Sequence, residues 1–373
     1  MSASRKLMYF SPEPKRQGHA SFTHVHEIIN GLGQEGWSVD LYSPQYDGSR
    51  LPGVLHRLWG ILATILRAIL ATRPDAYYMR WHPASFPVAL WGRLRRIPMV
   101  IEVNGPVDDL FIAWPITRRM RTVFTWIMTV QLRWSSAVVA VTDGLQGMCR
   151  TIAGPEKTVA TIPNGANTDL FSPNAAKIGN DNTRDLPGRF IVFFGTMAPW
   201  QGIRTVLAAL DEDVWPKDVH AVFAGDGVER PAVEAVCARL GHAHYLGRVP
   251  YESLPAVVAR AEGAFVCTEN LEGRASTGLA PLKLFESLAS GVPVIATEMP
   301  FQAEVVRGGA CGYVVPPGDP AGLAACVAEL AKDSQKRREM GENARRVAVE
   351  EHSWRARARD THQLLLHVLE QQA

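Results

Sequence analysis

Cysteine is sparse in this chain: five residues in 373, at positions 149, 237, 267, 311 and 326, with no C-x-x-C pair. Such scatter argues against a disulfide framework and a structural zinc site, and it fits a reducing compartment. Behind the basic residues of the opening MSASRKLMYFSPEP there is no long apolar stretch, so no secretory leader is expected and the protein is expected to be cytoplasmic. A dominant charge of one sign is also missing, since 39 Lys+Arg against 37 Asp+Glu leave +2. The basic residues fall in short clusters with no nucleic-acid motif around them, so nucleic acid is not an expected partner.

The near-neutral total hides an asymmetry. Residues 1–172 carry 18 Lys+Arg against 12 Asp+Glu, whereas residues 173–373 carry 21 against 25. A basic first half predicts a lobe that meets something anionic, either a phospholipid surface or a phosphorylated acceptor. At 47% hydrophobic and 20% charged, 373 residues exceed one typical core and predict two domains.

Short apolar strands alternate with helical periodicity throughout. Strands are expected at Leu7–Phe10, Val39–Tyr42, Ala76–Met79, Met99–Val103, Ala137–Val141 and Val159–Ile162, then at Phe190–Phe194, His220–Ala224, Ala264–Cys267 and Val292–Ala296. Repeated strand–helix–strand units imply parallel sheets covered on both faces, hence an α/β fold. The polar stretch SPNAAKIGNDNTRDLPG has no apolar period and reads as a linker. The expected organisation is therefore 1–172, a linker at 173–188, a second domain at 189–352, and a helix within 353–373 whose Leu364, Leu365 and Leu369 pack back on a lobe.

The segment ASTGLAPLKLFESLASGVPVIATE (275–298) reads as loop, helix and buried strand. The apolar stripe Leu282, Phe285, Leu288 and Ala289 predicts a helix starting near Ala280, with Gly291 at its C-terminal end. Unpaired N–H groups at such a start attract a phosphate, and Lys283 adds a point charge one turn in. An ordinary surface helix with solvated Lys283 and Glu286 is the competing reading.

Several motifs stand in a defined order: Gln17-Gly18-His19-Ala20, Ile162-Pro163-Asn164-Gly165, Gly195 through Gly202, Gly225-Asp226-Gly227, the 275–298 segment, and Pro316-Pro317-Gly318-Asp319. Together they resemble the retaining GT-B glycosyltransferases of family four over nearly the whole chain. The resemblance implies a GT-B fold, two doubly wound Rossmann-like domains facing each other across a cleft. It implies transfer of a hexosyl unit from a nucleoside diphosphate sugar, a UDP- or GDP-sugar, to a lipid-linked or glycan acceptor, with no metal and no cofactor. A GT-B epimerase or hydrolase of sugar nucleotides, or a non-catalytic partner subunit, remains an alternative.

Carried over by motif, the implied donor-binding residues are Gly195, Thr196, Gln201, Gly202, Gly225, Asp226, Val249, Arg274, Thr277, Gly278, Leu279, Ala280, Lys283 and Glu286. Glu286 matches the glutamate that binds the ribose hydroxyls, a task suited to an acceptor-only group. Acceptor-binding positions are Gly18, His19, Arg80 and His82, and the catalytic pair is Asn104 with Lys283. Three departures stand out. Gly278 occupies the place of the family's first glutamate, Thr196 and Gln201 replace two diphosphate cations, and Asn104 replaces a histidine. Lys283 is the expected replacement cation, with Arg274 or Arg204 behind it. Asn104 is expected to orient and stabilise charge, since an amide is no general base. Glu102, Asp108 and Asp109 read as solvated loop charges.

Two further segments bear on the anionic partner. Leu55, Leu58, Trp59, Leu62, Leu66, Ile69 and Leu70 form one helix face, and Arg118, Arg119 and Arg121 precede Phe124, Trp126, Ile127 and Trp134. Each face either packs on the sheet or makes peripheral contact with an anionic membrane, the inner face of the plasma membrane being the expected one.

Overall fold

The computed structural model describes residues 4–13, 20–45, 53–178, 183, 185–270 and 277–372. They divide into two compact units, one of Met1–Pro163 with Arg355–Ala373, the other of Asn164–Trp354.

The first unit is built on β1 (Arg5–Phe10), β2 (Trp37–Tyr42), β3 (Ala76–Arg80), β4 (Met99–Val103), β5 (Ala137–Ala140) and β6 (Thr158–Thr161), in the order β2-β1-β3-β4-β5-β6. All neighbours pair in parallel, with Leu7 opposite both Val39 and Ala76. β3, β4 and β5 are buried along their whole length, as a sheet covered on both faces requires, and are apolar except for Arg80 and Glu102 near the carboxyl ends of β3 and β4. The helix Trp354–Glu370 buries Leu365 and Val368, and Trp37 Nε1 donates to His362 Nδ1 at 2.9 Å. Just beyond its end, Gln372 Nε2 donates to Ser136 Oγ at 3.0 Å.

The second unit holds β7 (Phe190–Thr196), β8 (His220–Asp226), β9 (Ala243–Gly247), β10 (Gly263–Val266), β11 (Val294–Thr297) and β12 (Gly312–Val315), ordered β12-β11-β10-β7-β8-β9 and again parallel. Phe190, Val192 and Phe194 face one core cluster, and Ile191 and Phe193 face the other, so β7 is sandwiched.

The order in which strands are added reverses at β1/β3 in the first sheet and at β7/β10 in the second. At such switch points the loops leave the strands' carboxyl ends in opposite directions and open a crevice for ligands. The change of unit falls at Pro163/Asn164, earlier than the 172/173 expected from sequence. The cause is local. Phe171 is fully buried against Tyr251, Ala166 N–H donates to His352 O at 2.9 Å, and Arg345 Nη1 donates to the Thr168 and Phe171 carbonyls.

Candidate functional site

At the β7/β10 switch point the backbone is drawn unusually close. Gly202 has φ +65°, and a Cβ there would lie 2.2 Å from Cys267 O, so the loop after β7 touches the end of β10 only because this residue is glycine. Gly225, at φ +148°, would put a Cβ 1.9 Å from Gly195 O. Thr196 and Asp226 end the β7/β8 ladder as partners, and Met197 N–H donates to Asp226 O at 2.9 Å. Burial of the Asp226 carboxyl opposes its ionisation, but the Gly227 N–H at 2.8 Å and Arg248 Nε at 3.0 Å outweigh it and hold its pKa low. The 3₁₀ turn Pro199–Gln201 leads into Gly202, and Trp200 O accepts from Glu269 N–H at 3.0 Å.

The helix Leu282–Ala289 runs beneath this floor. It begins two residues after the expected start, because Pro281 and the residues before it are held extended. Leu279 bridges to Phe301, and Asn164 Nδ2 donates to Ala280 O at 2.7 Å. Its N-cap residue, Pro281, provides no side-chain cap. Gly291 ends it at φ +70°, with Val292 N–H reaching Ser287 O and Gly291 N–H reaching Leu288 O, a Schellman arrangement.

Both chemistry-bearing residues of this helix are buried, which corrects the reading of a solvated surface helix. Lys283 Nζ sits 4.1 Å from the centre of the Phe193 ring, its Cε is 3.8 Å from where a Gly195 Cβ would stand, and Nζ has no hydrogen-bond partner among the described residues. Burial lowers its pKa to about 8, against the opposing influence of Cys267 and Glu286. A buried ammonium with three unused donors beside a glycine-lined floor is a site for an anion. Glu286 is buried one turn further along and is one of the charges acting on Lys283.

The other expected donor residues that are described belong to the same unit. Gly195, Thr196, Gln201, Gly202, Gly225 and Asp226 stand at the carboxyl ends of β7 and β8 or in the loop after β7. Thr277, Gly278, Leu279 and Ala280 form the approach to the Lys283 helix, and Val249 packs against the core below β8. Gly278 has φ +73°, a conformation that strains any side chain, so the missing glutamate has a backbone reason. Of the three cations weighed for a diphosphate, exposed Arg204 is already paired with buried Glu229 at 2.9 Å, and Arg274 lies outside the described residues.

In the first unit a buried polar cluster occupies the carboxyl ends of β3 and β4. Glu102 is 1% exposed, which overturns its reading as a solvated loop charge. Its Oε2 accepts from Tyr78 Oη at 2.7 Å and meets His24 Nε2 at 2.9 Å, and its Oε1 accepts from Asn104 Nδ2. Arg80 Nε approaches Glu102 Oε1 at 3.5 Å while its Nη1 pairs with Glu13 at 3.1 Å. Burial raises the Glu102 pKa, but His24, Arg80 and Asn104 reverse the effect and bring it to about 2. Asn104 therefore spends an N–H on a fixed carboxylate, and its Oδ1 can act only as an acceptor. Asp108 stays at the surface, paired with Arg121 at 2.6 Å.

His82 Nδ1 accepts from Ala84 N–H at 3.1 Å, so the ring is neutral with its proton on Nε2. Burial lowers its pKa in the same direction. Gly18 and His19 lie outside the described residues. What the sequence did not reveal is that His24 and Tyr78 are partners of Glu102. The signal for both is weak, since each looks like a routine helix or strand residue until β4 places a carboxylate beside it.

The chain matches the family model described as Glycosyl transferases group 1 over residues 188–333, and the model described as Glycosyltransferase Family 4 over residues 21–170. It is 26% identical over 294 residues, 76% of this chain and 75% of the relative, to the GDP-mannose-dependent alpha-(1-6)-phosphatidylinositol monomannoside mannosyltransferase of Mycolicibacterium smegmatis. Among solved structures it resembles sucrose-phosphate synthase from Thermosynechococcus elongatus, with TM-score 0.78 and 16% identity over 98% of this chain and 99% of that one. It also resembles Anabaena HepE in complex with UDP and glucose, with TM-score 0.70 and 18% identity over 97% and 99%.

Proposed function

This chain belongs to the GT-B glycosyltransferases of group 1, and from that premise we propose that it is a retaining, metal-independent hexosyltransferase using a UDP- or GDP-sugar and a lipid-linked or glycan acceptor. The observation that carries the proposal is Lys283, a buried ammonium without a hydrogen-bond partner among the described residues, at the β7/β10 switch point. A diphosphate there gains charge-assisted hydrogen bonds from protein, the role that a metal plays elsewhere. The relative's name, with GDP-mannose as donor and a phosphatidylinositol mannoside as acceptor, supports a nucleoside diphosphate hexose and a lipid-borne acceptor. HepE's UDP and glucose support the same donor class with the other base.

In this reading the leaving phosphate oxygen takes the acceptor proton on the same face of the sugar, so no protein base is required. Lys283 stabilises the charge that develops on the diphosphate, and Glu286 receives the ribose hydroxyls. The first unit supplies the acceptor side through His82 Nε2–H, Asn104 Oδ1 and the Arg80 cluster that holds Glu102 ionised. The reaction belongs at the cytoplasmic face of a membrane, where a lipid acceptor meets a water-soluble donor. A thermal-shift screen against UDP, GDP, ADP and CMP, with and without divalent metal, tests this: one diphosphate nucleotide raises the melting temperature without metal, and CMP does not. Stabilisation only in the presence of metal contradicts the role given to Lys283.

A further inference from the structure

The helix Val54–Leu70 is inside out. Its inward residues include Thr64, Ile65 and Ala68, with Ile65 and Ala68 in one cluster with Val88 and Ala89, whereas the large apolar stripe faces away from the core. Leu55 is 83% exposed, Trp59 67% and Leu70 82%, with Leu58, Leu62 and Leu66 exposed between them. Packing on the sheet therefore does not explain this face. The exposure continues onto neighbouring segments: the Arg57 guanidinium lies 5.6 Å from the Trp114 ring centre, and Trp114, Ile116, Met120, Val123 and Trp126 are exposed as well. Trp126 in turn leans on Phe86 at 5.8 Å, at the start of the helix that ends in exposed Leu94. Such a connected apolar surface is uncommon on a monomer without a partner.

Charge identifies the partner. Segments 54–70 and 114–134 contain six arginines (Arg57, Arg67, Arg118, Arg119, Arg121 and Arg133) and no carboxylate. Leucines between tryptophans, rimmed by guanidinium groups of which Arg121 is paired with Asp108, match the boundary of an anionic bilayer, where rings sit at headgroup depth and arginines meet phosphates. Among the described residues no helix is long and apolar enough to cross a membrane, so the helix lies in the interface plane. We propose that this face of the first unit docks on an anionic phospholipid surface. The proposal deepens the lipid-acceptor reading and rests on it for its purpose, while its test is independent of transfer.

The full chain is floated with vesicles of phosphatidylcholine alone or mixed with phosphatidylglycerol, at low and high salt. Binding is expected only to the mixed vesicles and is expected to fall with salt. Leu58→Glu with Trp59→Glu abolishes it, and replacing Arg118, Arg119 and Arg121 by Gln weakens partition about fivefold per residue. Both variants alter exposed side chains, and nucleotide binding measured on the same samples stays at the wild-type value, which separates a failure here from a failure of the donor assignment. Absence of binding to the mixed vesicles, or binding indifferent to these substitutions, overturns the proposal. So does a dimer by light scattering that Trp59→Glu dissociates, since a second copy would then own the face.

Discussion

Replacing Lys283 by Met keeps the length of the side chain and removes its charge. The ammonium's pKa falls from 10.5 to about 8, so its burial costs the folded protein about 3 kcal/mol at neutral pH. Contact with the Phe193 ring returns part of that, on the order of 1–2 kcal/mol. Lys283→Met should therefore stabilise the ligand-free second unit by about 1–2 kcal/mol, where a core substitution normally destabilises. Because the folded pKa lies below the unfolded one, the penalty is complete below about 8, shrinks as pH rises toward 10.5 and then vanishes, so the two proteins should converge at high pH. Nucleoside diphosphate affinity should move the other way, falling by about 10- to 100-fold with the loss of charge-assisted hydrogen bonds. Urea unfolding across pH, together with calorimetric titration of UDP and GDP, measures both. A destabilised variant, or one with unchanged nucleotide affinity, refutes the reasoning.

Three further outcomes follow from the same geometry. Glu102→Gln strands Arg80 and His24 in a buried site and should cost about 3–5 kcal/mol by chemical denaturation. In the wild type, the ionised Glu102 contributes stability above its unfolded pKa that is lost as pH falls from 4.5 toward about 2, and acid unfolding of the variant should lack this component. Gly202→Ala, with φ +65° and a Cβ 2.2 Å from Cys267 O, should lower the melting temperature by several degrees, whereas Gly188→Ala, with open space around it, should not. Transfer in excess EDTA should match transfer in magnesium, and a strict metal requirement measured by product formation would count against Lys283 as the diphosphate's counter-charge.

Most of the architecture was legible because buried parallel strands are written as apolar runs. Ten strands follow that rule; β9 (AHYLG) and β12 (GYVV) do not stand out, being short edge strands that are largely half-buried. In the candidate donor site, residue types were readable but their burial was not. Lys283 and Glu286 look like any helix-surface pair until the Leu282–Ala289 helix is seen to be buried along most of its length. Glu102 misled for the same reason: a charge in the run MVIEV looks like a strand end near solvent, and only tertiary contact shows that His24, Tyr78 and Arg80 surround it. The Val54–Leu70 helix makes the same point, since hydrophobic periodicity reveals an apolar face without revealing what that face meets.

The central claim is that this chain transfers a hexose from a nucleoside diphosphate. It is tested most directly by incubating the wild-type protein with radiolabelled UDP- and GDP-hexoses and membrane lipids, then following label into the organic phase and nucleoside diphosphate into the aqueous one. Label in lipid matched by an equal amount of released UDP or GDP, and lost with Lys283→Met, is the predicted result. Free labelled sugar without lipid product, or no turnover of any donor, contradicts it.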